Sequence, residues 1–167
     1  MAKVLMIDHD RCTGCRLCEL VCSVKHEGVA NPERARIKII KFEWEGRYIP
    51  MACQQCQSAP CEGICPVKAI KRDEELGRWV VDYDLCIGCR MCVAICPFGG
   101  CKYDSIGAKV IRCDLCDGDP TCVQFCREGA VQYVEAEKVT TMKQREIAGK
   151  VATLLNKLVE AMAEVSA

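Results

Sequence analysis

The chain is organised by its cysteines, and first by residues 84–98, DLCIGCRMCVAICPF. There Cys86, Cys89, Cys92 and Cys96 stand at spacing C-x2-C-x2-C-x3-C and are followed by Pro97. Three thiolates so close together in a tight loop can face one inorganic cluster. The fourth, a helical turn further on, points away towards a second one. A chain built in this way is tied across its own length.

The run recurs. Cys12, Cys15, Cys18 and Cys22 repeat the spacing, with Ser23 where proline would be usual, so the helix after Cys22 is expected to continue through VKHEG. Cys53, Cys56, Cys61 and Cys65 stand at C-x2-C-x4-C-x3-C before Pro66, and Cys113, Cys116, Cys122 and Cys126 at C-x2-C-x5-C-x3-C before Arg127. DHDRCTGCRLCELVC from Asp8 matches DYDLCIGCRMCVAIC from Asp82, and CQQCQSAPCEGICPVKAI from Cys53 resembles CDLCDGDPTCVQFCREGAV from Cys113 apart from one inserted residue. The order A, B, A′, B′ is an internal repeat. One A and one B run make one unit, so two units related by pseudo-twofold symmetry are expected.

Composition agrees. At 167 residues with 5% aromatics the chain has little material for a conventional core, and its 17 cysteines supply metal staples instead. Lys+Arg and Asp+Glu both number 23, which argues against a nucleic-acid partner. A four-thiolate cluster carries roughly −2, so four would leave the loaded chain at roughly −8. MAKVLMIDHD enters the first run without the apolar stretch of a signal peptide. No run is long enough to span a membrane. The expected location is the cytoplasm, where thiols are kept for metal; export on a partner that carries a signal is the alternative.

Between the runs, KVLMI at 3–7 and VQYV at 131–134 read as strands. Residues 36–49 read as a hairpin turning at Glu45-Gly46, and VKAI with RWVVD as a second hairpin; KVIR at 109–112 leads into the last run. From Lys138 on, Ile147, Val151, Leu154, Leu155, Leu158, Met162 and Val165 mark one face of an amphipathic helix interrupted only by Gly149. That helix is expected to dock on a partner or a second copy, or to pack on its own domain.

Zinc also accepts four thiolates, but its sites use two C-x2-C pairs with a longer spacer. With all sixteen ligand positions cysteine, four [4Fe–4S] clusters and no three-iron variant are expected. Gly14 and Gly88 let backbone amides approach the cluster. Pro66 and Pro97 either shield it from water or open a helix. Cys101 fits no quartet and reads as a free, partly buried thiol. His9 and His26 read as outer or surface groups near the first cluster, and Arg16 and Arg90 as offsets of cluster charge or as solvated side chains. No paired carboxylates, nucleophile–base pair or phosphate loop is present, so no catalytic residue is assigned: the chain is expected to move electrons, not to be an enzyme itself.

On these residues the chain resembles the four-cluster ferredoxin-like electron-transfer subunits of multi-subunit oxidoreductases. The group includes subunits of dimethyl sulfoxide reductase, nitrate reductase, formate dehydrogenase, hydrogenase and carbon monoxide dehydrogenase systems. The likeness covers residues 3–135 and all sixteen ligands. It implies an α+β fold of two pseudo-symmetric bacterial-type 2[4Fe–4S] ferredoxin-like domains plus a C-terminal amphipathic helix. The outer domain would be 1–52 with 104–137, the inner 53–103 and the extension 138–167. It also implies that runs one and four pair, and runs two and three. Cluster one would use Cys12, Cys15, Cys18 and Cys126; cluster two Cys53, Cys56, Cys61 and Cys96; cluster three Cys86, Cys89, Cys92 and Cys65; cluster four Cys113, Cys116, Cys122 and Cys22. The spacing alone equally allows runs one and two to pair, and three and four.

Compactness and the C-terminal helix make the chain most similar to small subunits of tungsten enzymes of the aldehyde oxidoreductase class, including benzoyl-CoA reductase-type complexes. This implies a relay between a large tungsten or molybdenum pterin subunit and a ferredoxin, flavin subunit or other carrier. Alternative partners are a hydrogenase, formate dehydrogenase or carbon monoxide dehydrogenase; the remaining rivals are a free polyferredoxin and a zinc module.

Overall fold

A computed structural model describes residues 3–165, with side chains except those at 146, 150 and from 158 onward. Among the described residues eight short strands pair into four separate antiparallel two-stranded sheets. Strand β1 (Lys3–Ile7) leads into the first run and then α1 (Leu17–Glu27). Strands β2 (Lys38–Phe42) and β3 (Arg47–Met51) form a hairpin with Gly46 in its turn. The second run carries α2 (Pro60–Gly63), and β4 (Ile70–Asp73) pairs with β5 (Arg78–Val81). After the third run and α3 (Met91–Ile95), β6 (Cys101–Asp104) pairs with β7 (Lys109–Arg112). The fourth run holds α4 (Thr121–Gln124). Strand β8 (Val131–Glu135) then returns to β1, with Ile7 opposite Val131, and α5 (Ala136–Val165) follows.

The elements are short because there is little apolar material to bury. More than half of the buried apolar residues are cysteine or alanine. Most of them fall in two clusters. One gathers Ala59, Cys61, Ile70, Trp79, Cys92, Cys101 and Val110, and the other Cys22, Ala35, Ile37, Ala52, Cys122 and Val131. The first draws on runs two and three, the second on runs one and four. Buried polar pairs join the pieces: Arg34 bridges Glu27 and Asp104 at 2.8 Å each, and Arg36 pairs with Asp114.

Strand β6 is not expected from the sequence, and it straddles the expected boundary at 103/104. Cys101, its first residue, is fully buried at 2% exposure, not partly so. Pro66 and Pro97 do not open helices. Each sits in a turn closed by the third residue after the cysteine, Lys68 to the Cys65 carbonyl at 3.2 Å and Gly99 to that of Cys96 at 3.3 Å. Helix α5 runs through Gly149, and its Ile147, Val151, Leu154 and Leu155 are exposed; the side chains of Leu158, Met162 and Val165 lie outside the described residues.

The missing proline after Cys22 has a structural role. Helix α1 continues to Glu27, and Ser23 is fully buried, donating to the Leu20 carbonyl at 2.8 Å and accepting from the Asn31 amide at 3.1 Å. Ser23→Pro removes an interior helix hydrogen bond together with both of these contacts. It should cost about 3 kcal/mol, read as a fall in the thermal midpoint of anaerobically purified protein.

Candidate metal centres

Each run begins with the same backbone device. The second residue between its first two cysteines is left-handed: Gly14 at φ +71°, Gln55 at +50°, Gly88 at +68° and Leu115 at +58°. In the A runs Arg16 and Arg90, at +62° and +63°, add a second such turn and start α1 and α3. Left-handed residues in such turns can direct neighbouring N–H groups to one side, a concavity suited to negative charge; in the fourth run Cys116 and Asp117 are left-handed as well. Gln55 lacks glycine's freedom and is held instead by its side chain, which donates to the Cys113 carbonyl at 2.7 Å and accepts from the Trp79 amide at 2.9 Å.

The short helices then carry the later cysteines inward. Four hollows result. The first is lined by Cys12, Cys15, Cys18 and Cys126. The second has Cys53, Cys56, Cys61 and Cys96, with Cys101 beside them. The third has Cys65, Cys86, Cys89 and Cys92. The fourth has Cys22, Cys113, Cys116 and Cys122. In every one, three sulfurs come from one run and the fourth from another.

The hollows adjoin one another in turn. Cys122 of the fourth feels Cys18 of the first, and Cys113 of the fourth feels Cys53 of the second. Cys101 touches both Cys61 of the second and Cys92 of the third. The order is therefore first, fourth, second, third.

The donor set is soft thiol sulfur, as iron–sulfur clusters need. Among the described residues the only three ligand atoms within 4.8 Å of one another belong to His26, Asp114 and Cys116. Four sulfurs around a single zinc ion would sit about 3.8 Å apart, given bonds of about 2.3 Å, whereas the cysteines of each quartet surround a wider space. Backbone amides donate to the last cysteine of three runs: Arg36 to Cys22 Sγ at 3.2 Å, Ala69 to Cys65 Sγ and Gly100 to Cys96 Sγ at 3.3 Å each.

Burial pushes the Cys18 and Cys113 thiols up to about 12. Thiolates at these depths require metal, and filling the hollows must release protons. Cys61 goes the other way, to about 5, first through its hydrogen bond with Cys101 and then through the Arg112 guanidinium, against desolvation. Arg112 is buried on β7 and donates to Cys53 Sγ at 2.9 Å and Cys61 Sγ at 3.4 Å.

Arg112 escapes notice in the sequence, where KVIR reads only as the lead into the last run. The expected roles of the other polar residues divide. His9 is exposed beside Asp10, while His26 faces the fourth hollow and not the first, with Nε2 3.5 Å from Cys116 Sγ. Burial and then Arg36 push the His26 pKa down. Arg16 pairs with the buried Glu19, and Arg90 stacks 3.6 Å over the Tyr103 ring.

Residues 44–136 match the family described as 4Fe-4S dicluster domain, and residues 5–25 match the 4Fe-4S binding domain. The aliphatic sulfonate oxidoreductase polyferredoxin-like subunit of Pyrococcus furiosus is 43% identical over 93 residues, 56% of this chain and 53% of that protein. The electron transport protein HydN of Escherichia coli K12 is 40% identical over 108 residues, 59% of this chain and 58% of its own length. The chain thus spans little more than half the length of either relative. A chain of a solved structure described as the active site complex BamBC of benzoyl coenzyme A reductase with 1,5-dienoyl-CoA superposes at TM-score 0.48 and 25% identity, covering 80% of this chain and 75% of that one. No helix among the described residues is long and apolar enough to cross a membrane.

The two A loops differ in one testable respect. A Cβ on Gly14 would meet the Tyr48 ring at 2.5 Å, whereas one on Gly88 would meet nothing within 4 Å. Both Gly→Ala changes pay about 1 kcal/mol for a left-handed alanine. Gly14→Ala must also displace Tyr48 and should lower the thermal midpoint clearly further than Gly88→Ala.

Proposed function

The chain belongs to the 4Fe-4S dicluster domain family, and from that premise we propose an electron-transfer subunit with four [4Fe–4S] clusters on the sixteen cysteines of its runs. The observation that carries the reading is the lining of four hollows by four sulfurs each. The same linings support pairing of run one with four and of run two with three over the alternative pairing. When bound, such clusters accept and pass on single electrons. The chain's own part is to hold them in series, with amides and charges aimed at their sulfur ligands.

The domain division proposed is an inner unit on runs two and three and an outer unit on runs one and four, supported by the two separate apolar clusters. Because Val110 packs with the inner cluster, we extend the inner unit from 53–103 through β7. A non-catalytic role follows from the commitment of these side chains to metal, and a cytoplasmic location from the need for reduced thiols.

The two ends of the series suit different contacts. At the third hollow Ile87 and Met91 are exposed beside the exposed Cys89, with Leu85 and Ile95 exposed in the same run, which supports a lasting protein contact there. The exposed Arg11 and Arg127 line the first hollow and would steer an acidic carrier such as a ferredoxin. The lasting partner proposed is a large catalytic subunit, specifically a tungsten or molybdenum pterin oxidoreductase of the aldehyde oxidoreductase class. The name of the Pyrococcus relative supports an oxidoreductase complex in general, and HydN keeps other electron-transport partners as the alternative. The exposed face of α5 supports docking of that helix on the partner or on a second copy.

Anaerobic protein should contain about sixteen iron and about sixteen acid-labile sulfide per chain and give paramagnetic signals after dithionite. About four zinc and no sulfide would replace the reading with a zinc module. Deleting residues 138–167 should abolish co-purification with the large subunit while leaving the iron content unchanged. Elemental analysis of that complex for tungsten and molybdenum tests the partner class.

A further inference from the structure

Arg112 ends β7 at 3% exposure. Its two terminal nitrogens donate to Cys61 Sγ and Cys53 Sγ, and its Nε is buried without a partner. Among the described residues no carboxylate pairs with it; the charges it feels are those of Cys53, Cys101 and Cys61. The other cations beside the hollows are placed differently. Arg36 is neutralised by Asp114 and Arg16 by Glu19, while Arg11, Arg90 and Arg127 are exposed to water.

A buried guanidinium with no anion is strongly destabilising; with no carboxylate beside it among the described residues, anionic sulfur in the second hollow is what balances it. The unpartnered Nε is a further buried donor on a residue that lines the second hollow.

Resting on the cluster reading above, we propose that Arg112 is the buried counter-ion of the cluster held by Cys53, Cys56, Cys61 and Cys96 and makes it the most easily reduced of the four. One electron takes such a cluster from about −2 to about −3. A fixed cation within hydrogen-bond reach of two of its ligand sulfurs, away from water, favours the more negative form. The Cys101 thiol, beside Cys61, is another donor that acts in the same direction. Arg112 is thus a positioning residue for charge. It sets a resting place in the interior of the series, third from the first hollow and not at either exposed end.

The test is a potentiometric titration of the full, cluster-loaded chain followed by paramagnetic resonance, with Cys56→Ser marking the signal of the second hollow. In the unaltered protein the marked signal should be the first to appear. In Arg112→Met its reduction equilibrium should shift about tenfold towards the oxidised form, about 59 mV for one electron, while the other signals hold their midpoints; Arg112→Lys should recover most of the shift. A marked signal that appears later than another in unaltered protein overturns the proposal, even if Arg112→Met fails to fold. So does an unmoved midpoint in a well-loaded Arg112→Met. Unaltered protein without iron and sulfide would sink the cluster reading itself, a result distinguishable from either of these.

Discussion

Sulfurs from distant parts of the chain facing one hollow are the constraint on which the rest of the fold depends. Cys126 joins Cys12, Cys15 and Cys18, while Cys22 leaves its own run to join Cys113, Cys116 and Cys122. The strands around them are four or five residues long and pair only two by two. Isolated hairpins of this kind are marginal in water. Ligation in such a scaffold is folding energy, as in other small metal-stapled domains, and the sulfur exchange makes each half of the chain depend on the other.

Charge follows the same logic. The hollows are buried enough to push Cys18 and Cys113 well above an ordinary thiol, so the anionic state belongs to the loaded protein. Against that background the protein distributes its cations unequally. Paired arginines stand at the first and fourth hollows, exposed ones at the two ends, and a single buried guanidinium without a carboxylate at the second. Such asymmetry would separate in energy the iron–sulfur groups proposed for the hollows, since potential is set by charge, burial and hydrogen bonds to sulfur.

Much of this was legible in the residues. Spacing identified the runs and the A, B, A′, B′ order, and alternation located the β2–β3 hairpin; the second hairpin exists, but its first strand begins at Ile70, where VKAI ends, and takes in Arg72 and Asp73 of the expected turn. Glycine at 14 and 88 marked left-handed positions, but Gln55 and Leu115 occupy the equivalent conformation with no glycine to announce it; tertiary hydrogen bonds hold Gln55 there. Strand β6 was hidden because CKYD follows so closely on a cysteine run that neither period nor turn residues set it apart. Arg112 was hidden for a different reason. An arginine in a short strand is normally taken as solvated, and only the approach of Cys53 and Cys61 from elsewhere in the chain gives it a reason to be buried. His26 lies in the first run's helix yet serves the fourth hollow, because α1 continues past Cys22.

Synthesis on the ribosome fills in the series of hollows out of step with its spatial order. The third hollow has its full set of sulfurs once Cys92 has emerged and the second once Cys96 has, but the fourth must wait for Cys122 and the first for Cys126. Cys12, Cys15 and Cys18 are translated earliest and completed last. Those amino-terminal thiols therefore stay without their fourth sulfur for most of translation, and a product cut short before Cys113 would leave the first and fourth hollows incomplete.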